Sequence, residues 1–189
     1  MPTRFPLTIR LLHWGMAVLI LAMLFVGVGM LSTAGPAYAA LLSLHRPLGA
    51  ALFILVVIRL TIRHQTRAPP LPEDMPSLQK AVAKGSHVML YAAMIAMPLI
   101  GWAMLSAGGY PVKLGPSFSL PPLVPQDLQL FGLLRTAHTL TAFAFFALIL
   151  GHLSAALIHA FIRRDGVFSA MGFGRFRAKS SLSSSEVDG

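Results

Sequence analysis

Four long apolar segments, Ile9 to Leu31, Ala40 to Ile62, Leu78 to Leu105 and Leu133 to Ile162, take up most of this chain. Each reaches or exceeds the roughly 20 residues a helix needs to cross the hydrocarbon of a bilayer. Lipid offers no water to satisfy backbone groups, so such segments become helices, and four of them predict an all-α membrane protein, a four-transmembrane-helix bundle. The 189 residues leave no room for a separate soluble domain. Charged residues make up only 11%, against about 25% in a soluble domain, and the mean hydropathy is +0.72. In the second segment Arg46 and Arg59 leave a charge-free core only from Pro47 to Ile58, and both are expected to snorkel to the interfaces. Pro98 predicts a kink in the third.

The connections read as loops. Gln65 to Ser77 carries Pro69, Pro70, Pro72 and Pro76, and Gly108 to Pro125 is rich in Gly and Pro. The serine-rich end, 179–189, is expected to be a disordered cytoplasmic tail behind a membrane domain at 1–178. Ala37-Tyr38-Ala39 has the small-x-small form of a signal-cleavage site. The apolar run before it is longer than the 7 to about 15 residues of a signal h-region, and further spans follow, so it reads as a first span.

Charge sets the orientation. Of the 15 Lys and Arg, twelve fall on the face that holds the N-terminus, the Arg59 to Lys84 connection and the C-terminus, and only Arg46, Lys113 and Arg135 fall on the other. The positive-inside rule then puts both termini in the cytoplasm. It also accounts for the formal charge of +9 without nucleic acid, for which no soluble basic reading surface exists.

Absent residue types narrow the chemistry. With no cysteine there are no disulfides, thiolate metal sites, iron–sulfur clusters or covalently attached c-type haem. All six acids, Glu73, Asp74, Asp127, Asp165, Glu186 and Asp188, lie outside the apolar segments. That excludes a di-iron carboxylate bundle, and it leaves a haem-free transporter without its membrane carboxylates.

Histidines remain. His138 and His152 are fourteen residues apart in a charge-free stretch from Thr136 to Ile162. Fourteen steps of about 100° return to within about 40° of the start, so the two rings share one stripe, separated by roughly 21 Å along the axis. An ionisable residue inside a membrane is by default a candidate functional residue. Depth then allows one pairing: His13, near the cytoplasmic start of helix one, with His152, and His45, near the outer start of helix two, with His138. Each pair can give two axial imidazoles to one haem iron, so the reading is two b-type haems stacked across the membrane. The plainer alternative is that each histidine only hydrogen-bonds a neighbouring helix. Gly49 and Ala142, one turn from His45 and His138, give small flanks where a macrocycle approaches, although membrane helix interfaces favour small residues in any case.

Leu12-His13-Trp14, Val57-Ile58-Arg59-Leu60 before a proline-rich loop, Ser86-His87, Met97-Pro98-Leu99-Ile100-Gly101 and Ala155-Ala156-Leu157-Ile158-His159 together resemble the bacterial cytochrome b561 family. That family includes superoxide oxidases and is similar to the di-haem membrane subunits of hydrogenases and formate dehydrogenases. The resemblance implies a four-helix bundle in the bacterial inner membrane with two haems b, bis-histidine ligation and ubiquinone as electron acceptor. The glycine- and proline-rich outer loop and the long C-terminal tail match no family signature.

Within that resemblance His159, about 20° off the His152 stripe and near the cytoplasmic surface, suits a quinone carbonyl, with a structural interface histidine as the alternative. His87 is a second quinone-pocket candidate and the substitute should one of the four haem ligands be misassigned. His64 reads as a solvated loop residue. On the outer face Arg46, Lys113 and Arg135 meet one acid, Asp127, so a small anion is drawn toward the outer haem; snorkelling or haem-propionate pairing is the alternative for each. Superoxide fits such a field. The resulting expectation is a superoxide:ubiquinone oxidoreductase, and the rival is a haem-b electron-transfer subunit serving a separate redox partner protein.

Overall fold

A computed structural model describes residues 4–70, 72, 74–113 and 118–173. Four helices dominate: α1 (Leu7–Ser32), α2 (Gly35–His64), α3 (Ser77–Ala107) and α4 (Leu128–Leu157), the last continued by a π-helical turn, Ile158–Arg163. All four are long and apolar enough to cross a membrane. Their outward residues are large and apolar, with Phe25 at 78% and Ile162 at 76% exposure, as expected where lipid covers the surface. The expected tail at 179–189 lies outside the described residues.

Helices α2 and α4 each begin five residues before the apolar pattern does, and local chemistry explains both starts. Gly35 takes φ +63°, a left-handed value that glycine adopts without penalty, and Pro36 follows in the first turn, where its missing N–H costs nothing. The chain therefore reverses within two residues, and Ala37 to Ala39 lie inside α2. At α4 the Asp127 carboxylate accepts from the Gln129 and Leu130 amides at 2.8 and 2.9 Å, an N-cap that starts the helix at Leu128. Both α2 and α3 run through their internal prolines, Pro47 and Pro98.

The bundle is two hairpins. Close backbone packing joins α1 to α2 and α3 to α4, with a looser contact between α2 and α3, while the backbones of α1 and α4 hardly approach. Between α3 and α4 the chain forms a short antiparallel ribbon, β1 (Val112–Lys113) with β2 (Ser119–Leu120), in the register Val112 to Leu120. It is pinned by the Trp102 Nε1 donating to the Pro121 carbonyl at 2.9 Å and the Leu123 amide donating to Ser106 Oγ at 3.1 Å. This ribbon and the α1–α2 turn mark one end of the bundle, the ribbon end. At the opposite, terminus end, residues after the π turn fold back on α1: Phe5 N donates to the Ala170 carbonyl at 3.1 Å, and Trp14 Nε1 to that of Met171 at 3.0 Å.

Arg59 does not snorkel; it is buried, with its guanidinium 5.6 Å from the centre of the Tyr91 ring on α3. A cation can stay inside where an aromatic face receives it. Arg46 is half-buried, and its Nε also has no contact with solvent.

Candidate functional site: two histidine pairs and a buried His–Asp pair

The helices bring the histidines together in the pairs that depth alone allows. The ring centroids of His13 on α1 and His152 on α4 are 6.2 Å apart, and those of His45 on α2 and His138 on α4 are also 6.2 Å apart. The first pair lies toward the terminus end and the second toward the ribbon end. Nδ1 of His13, His45 and His138 is buried without a hydrogen-bond partner. A buried polar atom left unpaired costs about 1–3 kcal/mol, so hydrogen bonding to a neighbouring helix through Nδ1 does not account for His13 and His45 being buried there, and a partner at the other nitrogen is the alternative.

The spacing bears on what that is. Two imidazole nitrogens on opposite sides of one metal, each at about 2 Å, put ring centroids about 6 Å apart. Among the described residues no group of three or more His, Cys, Asp or Glu is arranged to hold a metal ion by itself. Two protein ligands leave most of an iron's coordination sphere to be filled by a non-protein group, as a haem macrocycle does. Gly101 on α3 supports the same fit at the ribbon end, because a Cβ there would lie 3.3 Å from His138 Cε1, so only glycine lets α3 approach this ring without pressure. Gly49, by contrast, packs toward Met23 of α1, whose Cε would stand 3.6 Å from an added Cβ.

His87 joins the terminus-end pair, its ring 5.4 Å from that of His152 and nearly perpendicular to it. Its Nδ1 donates to the Ala83 carbonyl one turn back, at 2.6 Å. That bond fixes the ring and leaves the other nitrogen free.

His159 sits in the π turn and is buried. Its Nδ1 is 2.7 Å from Asp165 Oδ2. The carboxylate's other oxygen accepts from the Val167 amide at 3.2 Å, and Arg163 reaches Asp165 and Asp74, each at 3.5 Å, while also donating to Gln79 Oε1 at 2.7 Å. The backbone geometry is unusual here: Arg164 is left-handed at φ 52°, and its amide closes the turn onto the His159 carbonyl at 2.9 Å. Single π turns of this kind are frequent at functional positions. Asp165, Gln79 and Gly101 are absent from the candidates drawn from sequence. Gly101 stands at the end of the Met97 to Gly101 motif, and Asp165 is the one acid close after His159.

At the ribbon end Lys113 and Arg135 are exposed and Arg46 is half-buried beside His45, and none of the three pairs with a carboxylate among the described residues. Asp127, the acid on that side, is occupied by the α4 cap. His64 ends α2 and is exposed.

Comparison with known proteins decides the family. Residues 4–174 match the family described as prokaryotic cytochrome b561. The chain belongs to that family. Cytochrome b561 homolog 1 of Escherichia coli (strain K12) is 28% identical over 172 residues, covering 89% of this chain and 96% of that protein. Cytochrome b561 homolog 2 of the same organism is 27% identical, covering 90% and 92%. A protein of Yersinia pestis named probable superoxide oxidase CybB is 26% identical over 68% of this chain and 72% of its own length. This cytochrome b561 is therefore a multi-pass membrane protein of a family that binds b-type haem and transfers electrons.

Proposed function

We propose that this cytochrome b561 is a superoxide:ubiquinone oxidoreductase holding two haems b, one between His13 and His152 and one between His45 and His138. The terminus end faces the cytoplasm and the ribbon end the periplasm, in keeping with the positive-inside rule. The observation that carries the reading is the uncompensated positive charge at the ribbon end, where Arg46 adjoins His45 and no carboxylate pairs with Arg46, Lys113 or Arg135 among the described residues. A small anion arriving from the periplasm is drawn to that pair, and its encounter rate rises with the field. The Yersinia pestis relative, named as a probable superoxide oxidase, supports the choice of superoxide.

Bound haem supplies one-electron chemistry at each pair. Two superoxide ions give up one electron each and leave as O2; ubiquinone takes the two electrons and two protons to become ubiquinol. The chain's own work at the cytoplasmic side falls to His159. With Nδ1–H held by Asp165 at 2.7 Å, the doubly protonated ring presents Nε2–H to a quinone carbonyl, donates a hydrogen bond to it and passes that proton on, the carboxylate stabilising the imidazolium. Arg163 orients the Asp165 carboxylate, and through Asp74, which is 76% exposed, the network reaches water that can replace the proton. The free nitrogen of His87 is the second candidate for the quinone.

The test is to mix purified protein with superoxide and a soluble ubiquinone, following the haem bands and ubiquinol together. Rapid haem reduction and one ubiquinol per superoxide pair are expected. Haem that superoxide leaves oxidised, but that a separate protein donor reduces, would replace this reading by that of an electron-transfer subunit.

A further inference from the structure

Arg59 is the most deeply buried cation among the described residues, at 8% exposure. Its Nε has no hydrogen-bond partner and no contact with solvent. Tyr91 gives it an aromatic face and no counter-charge. All six acids of the chain lie outside the apolar segments, so no carboxylate of the bundle interior can neutralise it. Arg63, one turn further along α2, shows the contrast: it donates to the Thr66 carbonyl at 3.0 Å and lies over the Phe5 ring near the surface. A guanidinium costs too much to bury for packing alone, and its planar fork is shaped to take a carboxylate with two parallel hydrogen bonds. The position narrows the partner further: Tyr91, which receives the guanidinium, is one turn from His87 on α3, and the His87 ring is 5.4 Å from that of His152 in the terminus-end pair.

We propose that Arg59 is a buried anion site of the terminus-end histidine pair, binding a carboxylate of the haem held there and, as a fixed positive charge, raising that haem's reduction potential. The inference rests on the reading that His13 and His152 hold a haem. In a water-poor interior a nearby positive charge stabilises the reduced, less positive state more than the oxidised one. Electrons entering from the ribbon end are thereby favoured to settle at the terminus end, beside the residues proposed to meet the quinone. Arg46 at the other pair is less buried, so its influence there is weaker.

The test is a spectroscopic redox titration of the full-length protein in detergent, comparing wild type with R59Q and R59K, and with His152→Ala to identify the terminus-end component. In R59Q the one-electron equilibrium constant for reducing that component should fall at least tenfold, a shift of 59 mV, with the other component unchanged. R59K keeps the charge and should stay within threefold of wild type. Retention of both haems by His152→Ala would overturn the underlying reading of the pair. Haem content of two with an unmoved potential in R59Q, or with both components moving equally, would overturn the inference alone. If R59Q does not retain its haem, R59K decides: an unmoved potential supports the proposal, and a tenfold fall or loss of the haem overturns it. A wild-type potential that follows the exchange of chloride for phosphate would assign Arg59 to a mobile anion instead, which also overturns it.

Discussion

At the level of single residues, the paired imidazoles are the groups whose surroundings leave them needing a partner. His138→Ala should lose the ribbon-end haem and His152→Ala the terminus-end haem, each halving the pyridine-haemochrome content of otherwise folded protein. Gly101 is a sharper probe because it touches no metal. Replacing it with valine forces a branched side chain against the His138 ring, where a single Cβ would already stand 3.3 Å away. G101V should therefore lose or perturb the same haem as His138→Ala while sparing the other, visible as one altered component in the low-temperature spectrum. At the terminus end, Asp165→Ala removes the acceptor that fixes His159. Quinone reduction should fall about 10²-fold or more, within the usual range for a proton-transfer residue, with haem content unchanged; an unaltered rate would show that His159 needs no such support.

Which of these residues the sequence reveals follows from how they act. His13, His45, His138 and His152 are legible because depth along a membrane helix is simply proportional to residue number, so spacing alone ranks them. Arg59 is not: an arginine near a helix end can snorkel outward or turn inward, and only the position of Tyr91 on another helix settles which. Gly101 and Asp165 act by tertiary approach, the first across a helix interface and the second by folding back after a π turn, and neither leaves a periodic trace.

At the element scale the four spans are readable from hydrophobic length, but their starts are set by caps that hydropathy ignores. Asp127 is the clearest case, taking two amides of α4 and tying its own amide to the Ala107 carbonyl at 2.9 Å. D127A should destabilise the protein by about 1 kcal/mol, the usual cost of losing an N-cap, seen as a lower midpoint of thermal unfolding in detergent. The β1–β2 ribbon escapes a sequence reading for another reason: two-residue strands carry too short a pattern to distinguish from loop.

At the scale of the whole molecule, the sparse contact between α1 and α4 matters most. The two hairpins pack together along α2 and α3, while on the α1–α4 side the His13–His152 pair spans a gap the backbones leave open. What bridges them must contribute to stability as well as chemistry, since a ligand that binds only the folded state stabilises it. Charge belongs to this scale too: in the proposed orientation Arg46, Lys113 and Arg135 have no carboxylate partner among the described residues and give the ribbon end a field that an anion can follow. Raising the ionic strength should slow the reaction with superoxide without altering haem content, since such steering is screened over about 10 Å at 0.1 M salt.

Delivery of electrons by superoxide at the ribbon end and their receipt by ubiquinone at the terminus end can be followed together by rapid mixing. Purified protein pulsed with superoxide should show haem reduction within the mixing time and, with ubiquinone present, one ubiquinol for every two superoxide ions consumed. Haem that stays oxidised after the pulse, in protein whose haem dithionite reduces fully, would contradict that delivery.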